Sequence, residues 1–158
     1  MPGFDEMVAA CVRLVKTFRI LELPILATEQ YPKGLGKTVP VLAEALGEPE
    51  PEPKTGFSAC GSETFSSRLV ALRKEQALVC GIETHVCVSQ TAHDLLQRGL
   101  SVHVAVDAVG SRDTMDRDVA LRKMEGSGAV LTTSEAAAFE LLVDAKHPRF
   151  KSVQALYK

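Results

Sequence analysis

The sequence predicts an α/β fold: a doubly wound, mostly parallel sheet with helices on both faces, three layers in all. Two observations carry this expectation. Apolar runs of strand length (24–28, 77–80, 101–106 and 129–132) alternate with segments whose apolar residues recur at helical spacing. The passages between runs are long enough for helical crossovers, which join parallel neighbours. Size agrees, because 158 residues, 46% hydrophobic and 24% charged, make one domain spanning 1–158 with a substantial core.

The first helix is expected over 4–23, where Met7, Val8, Cys11, Leu14, Val15, Phe18 and Leu21 form one apolar face. Cys11 belongs to that face and reads as core. Pro24 stops the helix and opens a buried strand over 24–28. A loop punctuated by Pro32, Gly34 and Gly36 follows, then a short helix opened by Pro40 and reaching Leu46. Glutamate and proline dominate 48–53, which reads as an exposed, extended connector without regular structure. It delivers the chain to Lys54-Thr55-Gly56-Phe57-Ser58. Ser62 and Glu63 start a helix running to about Lys74.

Residues 77–80 form the next strand, with Gly81 as a tight turn ending it. From Thr84 the apolar positions Val88, Ala92, Leu95 and Leu96 keep helical spacing until Gly99 stops them, so Cys87 falls in the opening turn of a helix. A strand over 101–106 ended by Asp107, a helix over 114–125, a short strand over 129–132 and a helix over 134–142 complete the pattern. One more short helix follows Pro148. The chain opens on a helix and shows four strands, fewer than a doubly wound sheet usually has. The expectation is that a first strand is missing and that a segment carrying it precedes Met1.

Composition excludes several functions. A net charge of −2 gives no basic face for nucleic acid and no membrane-surface patch. No apolar run approaches the ~20 residues of a membrane span, and no signal peptide is expected ahead of the first helix. Four cysteines are too few for a disulfide scaffold, which places the chain in a reducing, cytoplasmic compartment. Gly34 and Gly36 lack the rest of a dinucleotide fingerprint, so no cofactor is expected. His85 and Cys87 stand two apart without a partner cluster, and His93 and His103 read as surface or core. No metal site is expected.

Parallel α/β sheets bind ligands beyond the carboxyl ends of their strands. The loops after Thr28, Cys80 and Val106 therefore converge on one edge, with Glu29, Cys87 and Asp107 near it. A thiol in the opening turn of a helix meets unpaired backbone N–H groups and the positive end of the dipole. These stabilise a thiolate and can hold a developing oxyanion. Cys87 is the candidate nucleophile, with a space-filling buried cysteine as the other reading. Lys54, on the residues alone, reads as a solvated lysine after the connector.

Three stretches taken together change that balance. Thr28-Glu29-Gln30-Tyr31-Pro32 with Gly34-Leu35-Gly36, Lys54-Thr55-Gly56-Phe57-Ser58, and Gly81-Ile82-Glu83-Thr84-His85-Val86-Cys87-Val88 resemble the isochorismatase-like cysteine hydrolases, in particular the isochorismatase domain-containing branch. Agreement continues through Asp94-Leu95-Leu96, Val106-Asp107-Ala108, Ser111-Arg112, Thr133-Ser134-Glu135 and His147-Pro148. The resemblance implies a metal-independent hydrolase of a small amide, imide or related molecule, with Cys87 as nucleophile and Lys54 as its cationic partner. It also implies an oxyanion region around Ile82, Glu83 and Cys87, with a cis peptide between Ile82 and Glu83. Glu29, Tyr31 and Phe57 are the candidate pocket residues. Family nicotinamidases bind zinc through an aspartate and two histidines near the second strand; Glu29-Gln30-Tyr31 offers no histidine there. The family's general-base aspartate ends a first strand, and no residue here matches it. Either it lies upstream of Met1 or the chain is a non-catalytic scaffold or interaction protein on the same fold. Family members are commonly homo-oligomers, and that is the expectation here.

Overall fold

A computed structural model describes residues 1–158. Helix α1 (Phe4–Ile20) buries Met7, Val8, Ala10, Cys11, Leu14, Val15 and Thr17, the face its apolar spacing marks out. It ends before residue 23. Glu22 enters the left-handed region (φ 57°), and the Leu23 N–H closes back on the Phe18 carbonyl at 2.8 Å, a Schellman closure.

After β1 (Thr28–Gln30), α2 (Pro32–Leu35) and α3 (Pro40–Leu46), strand β2 (Glu52–Lys54) lies parallel to β1. Two expectations change here. The segment 24–27 carries no strand ladder and is half-buried, so the strand begins at Thr28. The connector does not stay irregular either, since its last residues pair with β1. Pro53 is tolerated because β2 is an edge strand, where a missing N–H costs little.

The remaining elements are α4 (Glu63–Leu72), β3 (Gln76–Ile82), a π turn (Thr84–Val88) leading into α5 (Ser89–Gln97), β4 (Ser101–Gly110), α6 (Thr114–Gly126), β5 (Val130–Thr132), α7 (Ser134–Leu142) and α8 (Phe150–Gln154). Strands β3, β4 and β5 form a parallel sheet in that order, separate from the β1–β2 pair. The strands total five and lie in two sheets, where four in one sheet were expected. Gly81 is not a turn. It sits inside β3 with φ 115°, at a register shift where Val79 pairs with Val104 but Gly81 pairs with Val109. Asp107 does not end β4, because its carboxylate is engaged by α7 and leaves the backbone free to continue to Gly110.

Helices cover both faces. Val102, Val104 and Val109 of β4 pack with Phe65 of α4, Ala92 and Leu95 of α5, and Leu121 and Met124 of α6. On the opposite face Ala105 and Ala108 meet Met7, Cys11 and Leu14 of α1, with Leu42 of α3 alongside. Apart from the partly buried Leu42, these side chains are almost fully buried, so the two helical layers fix β4, and with it β3, whose carboxyl end leads straight into the π turn. No helix is long and apolar enough to cross a membrane.

Candidate active site

The site is assembled where the carboxyl ends of both sheets meet. Gln30 ends β1 and Lys54 ends β2, directly opposite each other in the parallel register. Cys87 comes from the π turn that follows β3. Its sulfur lies 3.7 Å from Lys54 Nζ and 3.9 Å from Gln30 Oε1. Cys87 is half-buried, within reach of small molecules.

Lys54 is held closely. Its ammonium donates to Gln30 Oε1 at 2.6 Å, to the Gly56 carbonyl at 2.9 Å and to the Phe57 carbonyl at 2.8 Å. An ammonium has three hydrogens, and three oxygens take them. Towards Cys87, Lys54 is therefore a fixed positive charge rather than a free proton donor. Its charge stands 3.7 Å from the sulfur, where negative charge would gather in a nucleophilic attack. Gln30 completes the arrangement by donating from Nε2 to the Thr55 carbonyl at 2.7 Å. One side chain thus orients both the cation and the loop that binds it.

That loop is anchored to α5. Ser58 donates to Asp94 at 2.6 Å, and the Ala59 N–H donates to Thr91 Oγ1 at 2.9 Å. Nothing in residue spacing pointed to Gln30, Asp94 or Thr91 as supports; the Thr28–Pro32 and Asp94–Leu96 motifs held two of them without a role. The helix bearing the thiol and the loop bearing the lysine's acceptors are tied together directly.

At the turn's start, the Ile82–Glu83 peptide bond is cis. Glu83 accepts from the Arg112 backbone N–H at 3.1 Å and from Arg112 Nε at 2.9 Å. Burial pushes its carboxyl up, but the two Arg112 hydrogen bonds and the guanidinium charge outweigh this and hold it below the usual carboxylate range. Cys60 is 8% exposed, and desolvation pushes its thiol up.

A cavity of about 480 Å³ opens beside Lys54, lined by Tyr31, Lys33, Thr55, Gly56, Ser58 and Ser62 among others. Tyr31 borders it, whereas Phe57 contributes its carbonyl to Lys54 and leaves its ring 54% exposed. Glu29 lines neither cavity nor thiol. It alternates to the other face of β1 from Gln30, and its Oε1 accepts the Thr38 N–H at 2.7 Å, which fixes the loop into α3. Asp107 is also elsewhere, accepting from the Ser134 N–H and hydroxyl at the start of α7. No group of three or more His, Cys, Asp or Glu side chains is arranged to hold a metal ion.

Known proteins share this arrangement of elements. A zebrafish protein, isochorismatase domain-containing protein 2, is 46% identical over 154 residues, covering 97% of this chain and 77% of its own length. A solved structure described as MAR1 ribonuclease from Caenorhabditis elegans is 49% identical, with a TM-score of 0.92 over 97% of this chain and 79% of that one. YcaC from Pseudomonas aeruginosa, solved with hexane-2,5-diol and covalent acrylamide, is 28% identical, with a TM-score of 0.89 over 99% of this chain and 78% of its own. Escherichia coli YcaC, described as an octameric hydrolase of unknown specificity, is 26% identical, with a TM-score of 0.85 over 99% of this chain and 83% of its own. The isochorismatase domain family matches residues 1–136, and this chain belongs to that family.

Proposed function

We propose that the chain is a metal-independent cysteine hydrolase of a small amide, imide or related molecule. The observation that carries the reading is the 3.7 Å approach of Lys54 Nζ to Cys87 Sγ in the opening turn of a helix, at the carboxyl edge of two parallel sheets. The Cys87 thiolate attacks the substrate's carbonyl carbon. The C–N bond breaks as the nitrogen takes a proton from solvent water and leaves as the amine, and a further water hydrolyses the thioester to the carboxylic acid and returns the Cys87 thiol. Lys54 stabilises the thiolate, and backbone N–H groups around Glu83 and Cys87 face the developing oxyanion. Tyr31 borders the cavity beside Lys54, and Phe57 lends its carbonyl to the ammonium. Acrylamide is an electrophile, so a covalent acrylamide on a 28%-identical relative favours nucleophilic chemistry on this scaffold.

The substrate in this reading is a small molecule, although several similar solved structures carry the name ribonuclease or putative ribonuclease. With a net charge of −2, Lys54 saturated by three oxygens and Lys33 the one other cation lining the cavity, the site favours a small substrate over a phosphate backbone. We further propose a homo-oligomer, in keeping with the octameric relative, and a cytoplasmic location, in keeping with the small number of cysteines.

The test is trapping. The protein is mixed with a panel of small amides and cyclic imides, quenched in acid and weighed intact, alongside a Cys87→Ser variant. The expected result is a substrate-dependent mass increase on Cys87, absent from the variant, together with turnover. If no adduct forms and iodoacetamide labels Cys87 no faster than a free thiol, the chain is instead a non-catalytic interaction protein on this fold.

A further inference from the structure

We propose that His85, bridging to Ser111 and Asp116, is a positioning residue that sets where the Cys87 sulfur stands relative to Lys54. The proposal rests on the cysteine-hydrolase reading above. His85 is the second residue of the π turn, two before Cys87. At that spacing the two side chains leave opposite sides of the helix, so the imidazole is not poised to take the thiol proton. It points the other way. Nδ1 lies 3.0 Å from Ser111 Oγ, and Nε2 lies 3.7 Å from Asp116 Oδ2 in the first turn of α6.

The surroundings suit a structural grip. Ser111 is 3% exposed, and His85 is the partner its hydroxyl finds. The next residue, Arg112, binds Glu83 through its backbone N–H and its Nε. Residues 111 and 112, just beyond β4, therefore hold positions 83 and 85 from behind. Lys54 and Gln30 meet the sulfur from the front. The charged groups facing the imidazole are Asp116 from α6 and Glu83 from its own turn, the latter paired with Arg112. The turn has few other polar anchors: Thr84 is fully buried, and its hydroxyl has no partner. If the His85–Ser111 link is lost, the turn is free to shift, and the sulfur moves out of the field of a cation that is itself fixed.

The test follows iodoacetamide labelling of Cys87 by peptide mass spectrometry, between about pH 6 and pH 9, on the full chain. Variants are His85→Ala, His85→Asn, Ser111→Ala and Lys54→Met. Ser111→Ala removes a hydroxyl without disturbing packing, so it decides the matter if His85→Ala does not fold. Expected for both His85→Ala and Ser111→Ala is a pH–rate profile displaced to higher pH, with labelling at neutral pH slower on the order of threefold. His85→Asn keeps an amide within reach of Ser111 and is expected to follow the parent profile. The proposal is overturned if His85→Ala and Ser111→Ala both track the parent while Lys54→Met is displaced, which leaves the Cys87–Lys54 pair standing. If Lys54→Met also tracks the parent, the pair itself fails and the proposal fails with it.

Discussion

Gln30 and Lys54 stand opposite each other in the β1–β2 ladder, and the Gln30 amide oxygen accepts the Lys54 ammonium at 2.6 Å. The relationship depends on register. Slipping β2 by one residue would bring Pro53 or Thr55 opposite Gln30 and turn the lysine to the other face of the strand. The short, proline-containing edge strand that looked like a connector is what aims the cation at the thiol.

Replacing Gln30 tests that geometry. Gln30→Ala leaves the ammonium with two carbonyl partners and loosens the loop at Thr55. Labelling of Cys87 at neutral pH is expected to slow about threefold as the ammonium loses its fixed aim at the sulfur. Gln30→Glu is expected to slow it more, because a carboxylate in that place neutralises Lys54 and faces the sulfur. Iodoacetamide rate constants for the two variants, with melting curves to confirm folding, make the comparison.

Lys54→Met removes the charge while keeping most of the side-chain volume. With the cation 3.7 Å from the attacking sulfur gone, labelling at neutral pH is expected to drop on the order of tenfold. Lys54→Arg is expected to recover only part of the rate, since a planar guanidinium does not match three oxygens around one nitrogen. The profile of rate against pH, rather than a single rate, separates lost charge from lost access.

The Glu83–Arg112 pair sets a pH dependence. Glu83 has its carboxyl lowered in the folded chain, so its contribution to stability is fully present above the ordinary glutamate value of about 4.3. It is lost as pH falls through the lower, folded value. Urea unfolding of the parent and of Glu83→Gln is expected to differ by about 1 kcal/mol or less near pH 6, because Arg112 is 79% exposed and water screens the pair. The difference is expected to shrink as pH falls below the ordinary glutamate range and the Glu83 carboxyl takes up its proton. A gap that widens on acidification would contradict the assignment.

The sequence made some parts of this structure legible and hid others for identifiable reasons. Helical periodicity located α6 and α7 almost to the residue because each has a strong start: Asp113 caps Met115, and Thr133 caps Ala136. It also located Cys87 at the start of a helix, though not as part of a π turn, since hydrogen-bond pattern leaves no mark on apolar spacing. Strand limits were harder. Residues 24–27 are apolar but lie outside any ladder, and Glu52–Lys54 are polar and proline-containing yet inside one. Strand pairing is decided by neighbours distant in sequence. Gly81 was legible as a special position and misread as a turn, because positive φ serves a bulge as well as a bend. Glu29 stood next to the right residue, and alternation along the strand put Gln30 on the side of the thiol instead.

Asp107 provides the contrasting case, a carboxylate near the sheet edge with no role at the thiol. It holds the start of α7, accepting the Ser134 N–H at 2.7 Å and the Ser134 hydroxyl, and Ser134 is 1% exposed. Asp107→Ala leaves both buried donors without a partner, an expected loss of about 1–3 kcal/mol in chemical unfolding. Asp107→Asn keeps one acceptor oxygen and is expected to lose about half as much. Neither variant touches Cys87, Lys54 or Gln30, so iodoacetamide labelling of the folded protein is expected to match the parent. A stability loss with unchanged thiol reactivity assigns Asp107 to the scaffold; a fall in reactivity with unchanged stability would move it into the site.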